Sequence, residues 1–204
     1  MHGPGQSLIT TNDNWQDDPN QAAQISASGF APTNNLESAI VVTLQPGAYT
    51  AVIYGKNGTR GIALAEIFDL DTAANSQLGN ISGRGFVQTG DNVMIGGFVV
   101  GNNIGASKVI VRGIGPSLSQ YGLSNVLADP ILELHDSNGA LMQTNDNWQD
   151  DPDQAAQISA ANLAPSDPLE SAISISLAPG LYTAIIAGKN NGTGIGLVEI
   201  FKVP

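Results

Sequence analysis

The sequence predicts an all-β protein: an antiparallel, jelly-roll-like β-sandwich with short helices, present as one complete unit and one half unit. Residues 11–68 recur as residues 144–201 at a constant offset of 133, and such self-similarity is the signature of a repeated structural unit. The chain has 24 Gly and 11 Pro, the residues that tight turns require. Between these turns, short apolar stretches alternate with polar residues, as expected for half-buried strands.

The repeat begins with a nine-residue polar loop, Thr11–Pro19, which returns unchanged as Thr144–Pro152. Sixteen of the first seventeen positions of the two copies are identical. The loop ends in two Asp residues and a Pro, which predict a helix start because carboxylates cap helices and proline is tolerated in the first turn. A short helix is therefore predicted over Asn20–Ala27 and over its copy.

Three strands follow the helix in each copy. In the second copy Ile173, Ile175 and Leu177 alternate with small or polar residues, which predicts a strand with one buried face. A Pro-Gly pair comes next and predicts a type II turn. Each copy then has a strand, a helix and three antiparallel strands. The predicted strands of the first copy are 8–11, 40–44, 49–54 and 61–68.

The part between the copies occurs once. It predicts a short helical or irregular crossover after Gly115 and a hairpin at Asn138-Gly139, a strong hairpin signal. Residues 79–204 then supply about eight strands, a normal count for a sandwich, whereas residues 1–70 repeat only the back half of this plan. The strands predicted before the hairpin are 81–88, 93–100, 108–112 and 131–135. The predicted organisation is an incomplete repeat over 1–70, a polar linker over 71–79 and a complete β-sandwich repeat over 80–204.

Composition excludes several classes of function. The net charge is −11 with only 7 Lys and Arg, so the chain lacks the basic patch that nucleic-acid binding requires. It has no Cys, which excludes disulfides, thiol catalysis and thiolate zinc sites. No segment has the length of a membrane helix, and Met1–Gly5 has no feature of a signal peptide. Only 12% of the residues are charged. This small share, together with the many small polar residues, favours an extracellular or cell-surface location.

The repeated loop offers oxygen ligands alone, which suit calcium better than magnesium or zinc. The loop is no EF-hand, because the Gly at the sixth position and the distal Glu are missing. A second interpretation stays open: the same side chains bond to their own backbone and cap the helix. The predicted calcium ligands are Asn12, Asp13, Asn14, Asp17, Asp18, Asn145, Asp146, Asn147, Asp150 and Asp151.

Other candidate sites have weaker signals. Glu66 and Glu199 stand mid-strand among apolar residues and require a cationic partner; the candidates are Lys56, Lys108, Arg112 and Lys189. Trp15 and Trp148 suit a sugar-stacking platform, with core packing as the alternative. Ser117 does not stand in a nucleophile elbow, and no motif places His135 beside a nucleophile. We therefore predict that the chain is not an enzyme.

Several segments resemble tandem repeat modules of large secreted and cell-surface bacterial proteins. These segments are Asn80–Gly85, Thr89–Phe98, Gly115–Leu118, Asp129–Leu134 and Pro46–Ala51. From Leu132 onward the chain also resembles the bacterial pre-peptidase C-terminal domain, a jelly-roll-like sandwich appended to secreted hydrolases. The matching residues are Asp136–Gly139, Asn145-Asp146 and Pro179–Tyr182. The resemblance implies an extracellular module without its own activity, and related collagen-binding modules bind calcium through such acidic loops.

A back half without its front half leaves strand edges and an apolar face uncovered, and such edges recruit strands from other chains. We therefore predict a non-catalytic extracellular structural or adhesive protein that self-assembles end to end into a filament or lattice. The alternative is an accessory module of a secreted enzyme that binds a carbohydrate or a protein. The partners are then other copies of the chain, a polysaccharide or a surface protein.

Overall fold

The computed structural model of the protein describes residues 1–71, 78–101 and 105–203. The chain divides into two compact units, Met1–Ser76 (unit 1) and Gln77–Pro204 (unit 2). Most of the predicted linker over 71–79 lies outside the described residues. None of the described helices is both long enough and apolar enough to cross a membrane.

Unit 2 is a β-sandwich of two four-stranded antiparallel sheets, which confirms the predicted all-β fold class. Its strands are β1 (Asn80–Val87), β2 (Met94–Val100), β3 (Ser107–Ile114), β4 (Pro130–His135), β5 (Leu141–Asn145), β6 (Ser171–Leu177), β7 (Gly180–Gly188) and β8 (Gly194–Lys202). One sheet has the order β1-β8-β3-β6 and the other β2-β7-β4-β5. A 3-10 helix, Pro116–Tyr121, forms the predicted crossover.

The strands of the front half, β1–β4, alternate in both sheets with those of the back half, β5–β8. In the first sheet β8 lies between β1 and β3, and β6 lies beside β3. In the second sheet β7 lies between β2 and β4, and β5 lies beside β4. The three strands after the helix therefore do not pair with one another. The sequence pattern predicts three antiparallel strands in succession. The Pro-Gly turn between β6 and β7 carries the chain from one sheet to the other.

The core of unit 2 lies between the two sheets and contains the predicted apolar residues of the back half. Ile173 and Leu177 of β6 and Ile186 of β7 are fully or almost fully buried there. The helix α2 (Pro152–Ala160) packs outside the first sheet, where its buried Ile158 joins Ile110 of β3 in a second apolar cluster.

Unit 1 contains the predicted helix as α1 (Pro19–Ser28). Asp18 caps its start, and Gly29 ends it with a left-handed backbone at φ 81°. The strands predicted at 8–11, 40–44, 49–54 and 61–68 do not form a ladder, so that prediction is wrong. The reason follows from unit 2: each back-half strand takes its hydrogen bonds from front-half strands, and the single front half among the described residues is paired within unit 2.

The structural repeat begins earlier than the sequence comparison indicated. His2 forms isolated bridges with Leu8 and Thr50. His135, its counterpart at the offset of 133, pairs with the corresponding residues of β5 and β7. The equivalent of the last residue of β4 is therefore present in unit 1, as a remnant of the first arm of the hairpin.

Candidate functional site

Unit 1 exposes the apolar side chains whose copies form the core of unit 2. Ile186 is 0% exposed and Ile200 is 6% exposed, whereas their counterparts Ile53 and Ile67 are 57% and 58% exposed. The residue type is the same at both positions of each pair, so the difference comes from what covers them. The open face of unit 1 is defined by Ile40, Leu44, Ile53 and Ile67.

The local structure of unit 1 is otherwise kept. Trp15 donates its backbone N–H to the Glu37 carbonyl at 2.9 Å, and Ala39 donates its N–H to the Asn12 side chain at 3.0 Å. Trp15 and Ile25 are buried. The corner made by the loop and the helix is therefore formed, although no front-half strand covers unit 1 among the described residues.

The repeated loop of unit 2 is held together by its own side chains. Asn145 accepts the Ala172 N–H at 2.8 Å and donates to the Asn147 carbonyl at 3.0 Å, which ties the loop to β6. Asp151 accepts the N–H groups of Asp153 and Gln154 at 3.0 and 3.1 Å. The Gln154 N–H bond, with its side-chain bond, is the main reason that the pKa of Asp151 is lowered. Asp151 is therefore the helix cap that one interpretation predicted.

A lysine supplies positive charge to the loop in each copy. Lys189 Nζ lies 2.5 Å from Asp146 Oδ2 and 3.6 Å from Asp129 Oδ2. The hydrogen bond to Asp146 raises the pKa of Lys189, and the charge of Asp129 adds to the effect. Lys56 pairs with Asp13 in the same way in unit 1, and its pKa is raised by that hydrogen bond. An ammonium group thus stands next to the carboxylate that a calcium ion would require.

The structure brings four of the five predicted calcium ligands of unit 2 together. Asn145, Asp146, Asp150 and Asp151 line one shallow cavity of about 560 Å³, while Asn147 donates its side-chain N–H to Asp150 at 3.3 Å. Within the described ranges, no three carboxylate or imidazole groups lie close enough together to hold a metal ion. Calcium binding stays a prediction.

The matching side chains of unit 1 have similar local partners. Asp17 accepts hydrogen bonds from the backbone and side chain of Asn14 at 3.2–3.4 Å. Asp18 accepts the N–H groups of Asn20 and Gln21 at 2.8 and 3.2 Å. The loop of unit 1 is thus stabilised by the same turn and cap.

Both Trp side chains pack on their own unit. Trp15 is 7% exposed, and Trp148 is half-buried against the cluster of Ile110, Ile158 and Ala172. Burial on this scale leaves little ring surface for stacking on a sugar. The sugar platform stays a prediction that nothing in these positions favours.

Glu170, a carboxylate that is 0% exposed, is a structural residue that the sequence did not predict. Its Oε1 accepts the N–H groups of Gly115 and Ser117 at 3.1 and 3.0 Å and the Ser117 hydroxyl at 2.5 Å. A buried carboxylate is tolerated only when such donors satisfy it. Glu170 therefore fastens the crossover of the front half to the back half. The signal for it was the recurrence of Glu at position 37.

Arg112 of β3 makes a further polar contact between the two halves. Its Nε donates to Glu199 Oε2 at 3.0 Å, and Nη2 donates to the same oxygen. Its Nη1 donates to the Leu163 carbonyl at 2.9 Å, and its guanidinium lies 5.0 Å from the centre of the Phe201 ring. Of the four predicted partners for Glu199, Arg112 is the one found.

His135, at the end of β4, forms a surface ion pair. Its Nε2 lies 2.9 Å from Glu133 Oε2 and its Nδ1 lies 3.1 Å from the Gly139 carbonyl. The protonated ring can donate to both oxygens, so the pKa of His135 is raised, with Glu133 as the largest cause.

Comparison with known proteins finds similarity among solved structures. No protein-family model matches the chain, and no curated protein matches it. The crystal structure of the pre-peptidase C-terminal domain of a collagenase from Bacillus anthracis is similar with a TM-score of 0.37 and 14% sequence identity. The similarity covers 59% of this chain and 88% of that chain. That domain is of the kind that the residues from Leu132 onward resemble.

Proposed function

We propose that the protein is a non-catalytic extracellular structural module that self-assembles end to end, with a neighbouring subunit covering the open face of unit 1. The observation that carries this proposal is the pair of identical residues in two states: Ile186 is fully buried in unit 2, while Ile53 is 57% exposed in unit 1. Burying an Ile side chain stabilises by about 1.5–3 kcal/mol. The open face therefore favours association.

The number of halves limits how a neighbour can cover unit 1. The described residues contain two back halves and one front half, and that front half is already paired within unit 2. If identical chains exchanged their front halves, each exchange would open one back half for every one that it closes. The neighbouring subunit must therefore offer a surface that unit 2 does not use internally.

The free edge of β2 offers such a surface. Among the described residues, β2 stands at the end of its sheet and pairs on one side only, with β7. Ile95 and Val99 of β2 are 59% and 70% exposed, and Leu181 opposite Val99 is 59% exposed. An edge strand with apolar side chains recruits further strands. Segments of unit 1 that form no ladder, such as 51–54, have both the hydrogen-bonding groups and the apolar residues to extend this sheet.

A contact between unit 1 of one chain and β2 of the next joins two different surfaces. Such a heterologous contact grows into an open filament unless its rotation closes a ring. Because each chain has one open unit and one free β2 edge, the numbers of donors and acceptors match in a filament of any length.

The polar groups of unit 2 support a structural rather than a catalytic role. Ser117 is buried, and its hydroxyl donates to Glu170 instead of to a histidine. His135 is paired with Glu133 at the end of β4. Both groups are thereby engaged in contacts that stabilise the fold.

Sedimentation velocity over a range of protein concentrations tests the proposal. We expect the wild-type chain to associate as its concentration rises, and Ile53→Asp and Val99→Asp each to shift the population to monomer. Tyr121→Asp, at an exposed position outside both surfaces, introduces the same charge as a control and should leave association unchanged. A wild-type chain that is monomeric throughout would contradict the proposal, as would Ile53→Asp and Val99→Asp variants that assemble like the control.

A further inference from the structure

We propose that unit 1 is a binding site for a β-strand with the sequence pattern of Ser107–Leu118, supplied by a front half of this type that is not paired with a back half of its own. This inference rests on the open state of unit 1 in the proposed function, and it identifies the strand that fits there. Unit 2 shows how such a strand fits, because β3 and the turn after it contact the copies of the unit 1 segments.

The position for this strand lies between two segments of unit 1. In unit 2, β3 pairs with β6 on one side and with β8 on the other. The corresponding segments of unit 1 are 38–44 and 61–69, and neither takes part in a ladder. Their alternating apolar residues are retained, so a strand inserted between them would find ladder partners on both edges.

Glu66 would make the first of two polar contacts with the inserted strand. Its copy Glu199 binds Arg112 of β3, and the same guanidinium lies over the ring of Phe201. Unit 1 retains both acceptors as Glu66 and Phe68. Glu66 is exposed, and no ion pair or hydrogen bond to it is found among the described residues. An arginine at the position of Arg112 would therefore meet a free carboxylate.

Glu37 is the second polar contact. In unit 2, Glu170 uses Oε2 to accept the Asp167 N–H at 3.3 Å and Oε1 to accept three donors from Gly115 and Ser117. In unit 1, Glu37 Oε2 accepts the Asn34 N–H at the same distance of 3.3 Å. No hydrogen bond to Glu37 Oε1 is found in the described part of the chain. The oxygen that holds the front-half turn in unit 2 is thus unoccupied by protein donors in unit 1.

Together the two glutamates specify the register of the strand. The arginine would bind Glu66 and the Gly-Pro-Ser turn would bind Glu37. The number of residues between these donors must therefore match the positions of the two glutamates. A slip of one residue would turn the arginine to the opposite face of the sheet. The predicted ligand is therefore an extended peptide that carries an arginine, followed at a fixed spacing by a Gly-Pro-Ser turn.

Fluorescence anisotropy of a labelled peptide with the sequence of residues 107–118, titrated with the full chain, tests this inference. We expect saturable binding that weakens about tenfold for Glu66→Gln in the chain and about tenfold for Arg112→Ala in the peptide. Combining the two changes should weaken binding little more than either change alone, because each removes the same interaction between the arginine and Glu66. The same pattern is expected for Glu37→Gln in the chain with Ser117→Ala in the peptide.

Asp153→Asn is the matched control, because it removes one negative charge from unit 2 at the position where the first copy has Asn20. It should leave peptide affinity unchanged. Glu37 and Glu66 are both exposed, so their substitution by Gln does not threaten the fold. An absence of saturable binding would overturn the inference, and so would binding that is equally strong in the two glutamate variants and the control.

Sedimentation of the same samples separates this inference from the proposed function. Assembly of the chain without peptide binding would reject the strand site and retain self-association. A monomeric chain that binds the peptide through both glutamates would retain the strand site and reject self-association. When both hold, saturating peptide should dissolve the assemblies, because it occupies the open face.

Discussion

The two copies of the repeat allow one core substitution to be compared in a closed and an open environment. Ile186 is 0% exposed and packs in the core of unit 2, whereas Ile53 is 57% exposed. Truncation of a buried Ile to Ala costs about 2–5 kcal/mol. We expect a loss of about 3 kcal/mol in the free energy of unfolding for Ile186→Ala. For Ile53→Ala in dilute solution we expect about 1 kcal/mol or less, because less than half of the side chain is covered.

Each unit has one Trp, so fluorescence can follow their unfolding separately. Urea denaturation in a Trp15→Phe background reports unit 2 through Trp148, and a Trp148→Phe background reports unit 1. The loss of about 3 kcal/mol in unit 2 corresponds to a fall of roughly 10 °C in Tm for a domain of this size. Equal losses for Ile186→Ala and Ile53→Ala in dilute protein would refute the reasoning, because unit 1 would then be closed without a neighbour.

Further predictions concern the loops and the surface pair. Asp151→Ala removes the cap of α2 and should destabilise unit 2 by about 1 kcal/mol in urea unfolding, with Asp18→Ala as the equivalent change in unit 1. The pKa of His135 is raised above its usual value near 6.5, so the stability from its pair with Glu133 is fully present below that value. It is lost as the pH rises through the folded-state pKa. NMR titration of the imidazole should show the raised pKa in the wild type and a return toward the usual value in Glu133→Gln; identical titrations would contradict this. Calcium should raise the Tm of unit 2 relative to EGTA if the loop binds it, and an unchanged Tm would reject the calcium site in favour of the Lys189 ion pair.

Local patterns predicted the strands of unit 2 well. The alternation of Ile173, Ile175 and Leu177 and the Asn138-Gly139 turn are properties of neighbouring residues, and β6 and the β4–β5 hairpin formed where they indicated. Pairing between distant segments has no such local signal. A Pro-Gly turn fits a hairpin as well as a crossing from one sheet to the other, so the alternation of front and back strands could not be predicted from it.

The missing ladder of unit 1 follows from the same limitation. Segments such as 49–54 and 61–68 have the strand pattern, yet a strand forms only where another strand accepts its hydrogen bonds. The alternating pattern indicates which side chains would be buried in a strand. The strands that would accept its hydrogen bonds belong, in unit 2, to residues 80–135. Glu170 could not be predicted for a related reason: its donors at Gly115 and Ser117 lie more than fifty positions away in the chain.

The role of the repeated loop is clearer in the structure than in the sequence. Asn145 ties the loop to β6, Asp151 caps α2, and Lys189 neutralises Asp146. These contacts recur in unit 1, where the front half is absent. The loop and helix therefore form the same corner in both units, and unit 1 keeps this local structure while its apolar face is exposed.

Amide hydrogen exchange, followed by mass spectrometry at low and high protein concentration, tests the central claim most directly. In dilute solution we expect fast exchange in segments 40–44, 49–54 and 61–68 of unit 1 and slow exchange in their copies β6, β7 and β8. At concentrations where the chain associates, exchange in the unit 1 segments should slow as their backbone groups gain partners. Segments of unit 1 that are protected in the dilute monomer, or that exchange equally fast at every concentration, would contradict the account.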